Sequence, residues 1–155
     1  MNKAEDMNLI KTYFRRLISK EVRLFEFGVN DCRFDVINID PFKQIIRGHE
    51  IKISRADFLQ DRRAGKWKKY LEYCDRFYWV CRPGIIKKEE VEDPAGLMWI
   101  STYKERYPEV QYYSSGFPIS RLIKRAEKNT VETDTRMYVL ALLLSRAKYR
   151  GEEFF

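Results

Sequence analysis

Residues Arg33 to Ser54 read RFDVINIDPFKQIIRGHEIKIS, two β-rich segments separated by the turn signal Asp40-Pro41. The first segment carries Asp35 among Phe34, Val36, Ile37 and Ile39. The second carries Glu50 and Lys52 among Ile46, Ile51 and Ile53. Alternate residues of a strand point to the same face. Glu50 and Lys52 therefore project together, while His49 and Ile51 point the other way. Paired as a hairpin, the two segments bring Asp35 beside them. Two carboxylates and one ammonium then share a small patch, and paired carboxylates repel unless a proton, a cation or a metal sits among them.

Outward from this stretch the chain alternates helix and strand. Leu9, Ile10, Tyr13, Phe14 and Leu17 recur at helical spacing, which predicts a helix from Asp6 to Ser19. Glu21 to Phe27 reads as a strand, and Gly28-Val29-Asn30-Asp31 as a turn. Strands follow over Phe34–Ile39 and Arg47–Ile53. Ser54 is a natural N-cap, with Asp57 three residues on, for a helix from Arg55 to Tyr73 that Gly65 kinks or splits. RFYWVCR, from Arg76 to Arg82, reads as a strand closed by Pro83-Gly84, and the charged run to Ala95 as a surface loop. Gly96–Thr102 is a fifth strand. A tyrosine-rich connection to Phe117 has room for a short strand at Val110–Tyr113. Arg121–Lys128 reads as a short basic helix or loop, and a last helix starts near Asp134. This order describes one α/β domain over residues 1–155, with a mixed sheet flanked by helices.

The 155 residues suffice for one buried core, and 45% hydrophobic content excludes a disordered chain. The longest apolar run, Val139 to Leu144, is too short to cross a bilayer, and the N-terminus lacks a signal-peptide pattern. Cys32, Cys74 and Cys81 with a single histidine rule against a zinc site and fit reduced thiols in the cytoplasm. A net charge of +7 favours a polyanionic partner without identifying one.

Phosphodiester cleavage needs charge stabilised on the attacking and leaving oxygens. Carboxylates holding Mg²⁺, with a lysine nearby, supply this. Magnesium keeps several waters, so one or two protein carboxylates suffice. Asp35 and Glu50 fit the ligand role, with the carbonyl of Ile51 as a further ligand. Lys52 fits the role of orienting the attacking water or neutralising the developing charge.

Asp35 followed by Glu50-Ile51-Lys52 on the next strand resembles the PD-(D/E)XK nuclease superfamily. The runs RFDV, HEIKIS, ADFLQD, GKWKKYLEYCDRFYWV and PAGLMWI look like the MmcB-like DNA-repair endonucleases, over residues 9 to 102. The resemblance implies a restriction-endonuclease-like core and a Mg²⁺-dependent DNA endonuclease, with Mn²⁺ as substitute, in DNA repair or mobile-element processing. It implies Asp35 and Glu50 as metal ligands and Lys52 as the catalytic lysine. Some relatives add a glutamine or lysine and a tyrosine four residues apart on the next helix; Lys66 and Tyr70 have that spacing. Some members also use a glutamate from the first helix; Glu5 and Glu26 are the two candidates here, and the sequence assigns neither. Many proteins of this fold pair to cut two strands, so a homodimer is consistent with the resemblance, though no segment marks an interface.

Arg62, Arg63, Lys66, Lys68 and Lys69, with Tyr70, form a candidate nucleic-acid contact. A solvated helix face has the same composition. Asp57 and Asp61, four residues apart, read as capping and surface charge, with a second metal ligand as the alternative. Taken without the resemblance, Asp35, Glu50 and Lys52 read more simply as an ordinary surface ion pair; the resemblance turns the balance towards a site. The alternatives are a non-catalytic nucleic-acid-binding module and a protein-interaction adaptor.

Overall fold

The computed structural model describes residues 1–17, 19–109 and 116–149. Six strands form one sheet in chain order: β1 Val22–Val29, β2 Cys32–Asp40, β3 Ile45–Ile51, β4 Arg76–Cys81, β5 Gly96–Thr102 and β6 Pro118–Lys124. The first three are antiparallel, β3–β4–β5 are parallel, and β6 returns antiparallel to β5. Parallel neighbours need a crossover. For β3 and β4 it is α2, Arg55–Ala64, followed by a 3-10 helix over Lys66–Glu72. Helices α1, Lys3–Arg16, and α4, Thr133–Tyr149, flank the sheet, and α3 is a single turn at Tyr103–Arg106. The architecture is α/β with a mixed sheet. Among the described residues no helix is long and apolar enough to cross a membrane.

The two faces bury different partners. Leu9, Ile10 and Phe14 of α1 pack with Val36, Ile51, Tyr78, Val80 and Ile100. The other face joins Phe34, Ile37, Phe77 and Trp79 to Phe58, Trp67 and the α4 residues Val139 and Leu143. Each large side chain buried this way contributes about 1.5–3 kcal/mol.

Four readings of the sequence change. The first helix stops at Arg16, because Leu17 is already extended. The β1–β2 turn is only Asn30-Asp31, with Asn30 at φ 51, a left-handed conformation that asparagine tolerates. The helix expected over Arg55–Tyr73 is two elements, because Gly65 at φ 71 ends α2 and its N–H caps Asp61 O. Residues Arg121–Lys124 belong to strand β6, not to a helix or loop. The strand expected at Val110–Tyr113 lies outside the described residues. All three cysteines are buried and free.

Candidate active site

The site begins with a phase change shared by β1 and β2. Phe25 pairs with Val36 and Phe27 with Phe34, but Glu26 and Asp35, on the rung between, drop out of the ladder. Glu26 takes φ 51 there. As a result Leu24 and Phe27, three residues apart, lie in one core cluster, as do Phe34 and Ile37. Strict alternation would forbid both. Phe34 swings over β3, where only glycine fits: a Cβ on Gly48 would stand 2.4 Å from the Phe34 ring. Asp35 is thereby released from strand pairing, and its Oδ2 accepts the backbone N–H of Ile51 at 2.7 Å.

Glu50 lies on the rung after His49, which pairs with Val36, so it meets Asp35 across the hairpin. Each carboxyl perturbs the other. Burial, then the Asp35 charge, pushes Glu50 up to about 8, with Lys52 opposing. Burial also raises Asp35, against the Ile51 N–H and Lys52. With both carboxyls ionised, Glu50 Oε2 is buried without a hydrogen-bond partner. Only a proton shared with Asp35, or a cation, satisfies it.

Lys52 lies one residue beyond β3, yet its N–H still bonds Val80 O at 2.8 Å. Its ammonium stands 3.8 Å from Glu50 Oε1 and pairs with Asp61 on α2. The side chain is 12% exposed and passes 5.9 Å from the Trp79 ring. The three residues singled out in the hairpin therefore do meet. Ile51 brings its amide to Asp35 while its side chain is buried on the α1 face. His49 faces away as alternation requires, packed against Phe14 and Tyr78, where burial holds its imidazole down at about 3.

The other candidates disperse. Glu5 caps α1 through Asn2. Glu26 pairs with Arg33 and Lys11 at the surface. Among the described residues no group of three or more His, Cys, Asp or Glu side chains is placed to hold a metal. In a 3-10 helix, residues four apart are about 120° apart around the axis. Lys66 and Tyr70 therefore do not share a face as an α-helix would have them. Tyr70 instead donates to Arg33 O at 2.9 Å and packs edge-on against Phe34. Burial, then the Glu50 charge, raises its phenol. Arg62 donates to Glu90 O, Lys68 faces Glu92 at 4.0 Å, and Lys69 pairs with Asp31 at 2.8 Å. Arg63 and Lys66 remain exposed.

Asp61, which the sequence offers as surface charge or a second metal ligand, joins the site instead as the partner of Lys52. Its signal was the three-residue spacing from Phe58, which is buried against Trp79 and so turns that side of α2 towards the sheet.

No family model matches this chain, and no curated protein does. Among solved structures it is similar to a protein of unknown function from Silicibacter pomeroyi. The TM-score is 0.68 at 22% identity, over 97% of this chain and 89% of the other. That likeness concerns the fold alone.

Proposed function

We propose that this chain is a metal-dependent DNA endonuclease of the PD-(D/E)XK type, serving repair or mobile-element DNA processing. The observation that supports the reading is the buried carboxyl pair: Asp35 and Glu50 meet on adjacent strands, and one oxygen of Glu50 has no donor. Structural acids are compensated by donors, whereas a carboxylate left short of one suits a cation that arrives from solution.

The donor set fits Mg²⁺ or Mn²⁺, since oxygen ligands from two carboxyls, completed by water, suffice. Asp35 Oδ1, Glu50 Oε2 and the carbonyl of Ile51 would hold it. When bound, the ion supplies Lewis-acid stabilisation of the phosphoryl oxygens and a more acidic water. Asp35 stays oriented by the Ile51 N–H. Glu50 would ligate in its ionised form, its proton passing to solvent. Lys52 places a positive charge beside the reacting phosphate, where the fully extended negative charge of the transition state develops. Arg63 and Lys66, exposed near the end of α2, meet the flanking phosphates.

The test is cleavage of plasmid, single-stranded and branched DNA with and without Mg²⁺ or Mn²⁺. Wild type should cut only with metal, and K52A should lose cleavage while keeping its circular dichroism. Full activity in K52A removes the assignment. A second reading, binding without cutting, rests on the exposed Arg63 and Lys66. It predicts salt-sensitive retention of DNA and no metal-dependent product.

A further inference from the structure

Asp61 has no part in the proposed reaction, yet it holds the lysine that the reaction needs. Its carboxylate pairs with Lys52 Nζ, and the next acid to that ammonium is Glu50, 3.8 Å away. The two acids differ in setting: the Asp61 side chain is 41% exposed at the rim, that of Glu50 17% exposed beneath it. The backbone at Asp61 is fixed, because its carbonyl takes the Gly65 N–H at 3.0 Å. One turn earlier Phe58 anchors α2 to Trp79.

A pair of buried carboxyls attracts any cation in reach, and attraction strengthens as water is excluded. The ammonium of Lys52 is tethered beside this pair. Were it to move inward it would satisfy Glu50 and take the position a divalent ion needs. It does not, and Glu50 Oε2 stays without a partner. The competing contact that holds the ammonium outward is Asp61.

We infer that Asp61 is a positioning residue that keeps Lys52 out of the Asp35–Glu50 cleft and so reserves Glu50 Oε2 for a divalent cation. The inference rests on the metal-dependent reading above and deepens it. Asp61 acts through Lys52, touching neither the metal nor the phosphate.

The experiment is calorimetric titration of the full chain with Mn²⁺, for wild type, D61A, K52A and D61A/K52A, with circular dichroism on each. D61A should weaken Mn²⁺ binding by about 10–100-fold, the usual scale for a residue supporting a metal ligand. The double variant should recover wild-type affinity or better, because no ammonium remains to enter the cleft. Such non-additivity is the signature of acting through another side chain. D61N serves if D61A loses structure, with the same direction expected. Unchanged affinity in D61A or D61N overturns the inference and leaves the nuclease reading standing. Equal weakening in D61A and D61A/K52A also overturns it, since Asp61 would then act on the metal directly. A wild type that binds Mn²⁺ but cuts no DNA sinks the nuclease reading alone. A wild type that binds no Mn²⁺ sinks both.

Discussion

A buried acid lies at each end of strand β3, Asp75 from just before β4 against its start and Glu50 near its finish, and the two are treated in opposite ways. Near its start, the Asp75 side chain is 1% exposed and every demand is met. Arg136 grips it with two hydrogen bonds of 2.6 and 2.7 Å, and Ile46 donates its N–H at 2.7 Å. Burial alone would raise this carboxyl, but the Arg136 and Ile46 bonds outweigh it and hold the group below its ordinary value. At the other end, Glu50 has a carboxyl beside it, a lysine held away from it and an oxygen with no donor. Burial is common to both. What separates a structural acid from a candidate functional one is whether the fold compensates the charge.

The largest effects should fall in different observables for the two acids. K52A should lower DNA cleavage by about 10²-fold or more, the scale on which a single transition-state charge contact contributes. D75N should leave cleavage per folded molecule unchanged. Instead it should lose about 3 kcal/mol of stability, because the Arg136 guanidinium is left without its counter-charge. Chemical denaturation and a cleavage assay on the same samples check the pair. A D75N protein that folds normally yet cannot cut would dissolve the distinction between the two ends.

The pH responses should also be opposite in sign. Asp75 is lowered from the ordinary 3.8, so its contribution is present above that value and lost as pH falls through the folded value. Glu50 is raised from 4.5 to about 8, so its contribution is fully present below 4.5 and lost as pH rises through 8. Without metal, E50Q should therefore melt higher than wild type by roughly 10 °C at pH 8, with the gap closing towards pH 4. Added Mg²⁺ should stabilise wild type and reverse the ranking, since E50Q has lost a ligand. A wild type minus E50Q difference that stays flat from pH 4 to 8 would refute the uncompensated state of Glu50.

The two ends also differed in how far the sequence disclosed them. Glu50, Ile51 and Lys52 were readable because side-chain parity along a strand is local and strict. Asp35 was placed beside them by the hairpin, but the reason it is free to turn is not local. Glu26 and Asp35 leave the ladder together, and Gly48 clears the way for Phe34, a coincidence of three strands. Asp61 was visible as a helical acid, yet its tie to Lys52 depends on how α2 folds back after Ser54. Asp75 and Arg136 are 61 residues apart, and no pattern joins them before the chain folds. Strand β6 was hidden for a different cause. Arg121 and Leu122 are both exposed, so the apolar alternation that marks a strand is blurred at this sheet edge.

The smallest predicted effect tests the surface leading to the site. Arg62 and Lys66 carry equal charge, but the Arg62 guanidinium is engaged by Glu90 O at 3.1 Å while Lys66 is exposed. A phosphate contact releases a counterion only if the cation is free to make it, and each contact adds about 0.9 to the slope of log affinity against log salt. K66A should therefore weaken binding to catalytically silenced K52A protein by a few-fold and flatten that slope by about 0.9. R62A should leave the slope nearly unchanged and lower stability by about 1 kcal/mol, the scale of one lost hydrogen bond. Fluorescence anisotropy of labelled duplex across a salt series distinguishes the two. Identical slopes for K66A and its parent would mean that DNA approaches the carboxyl pair from a side other than the end of α2.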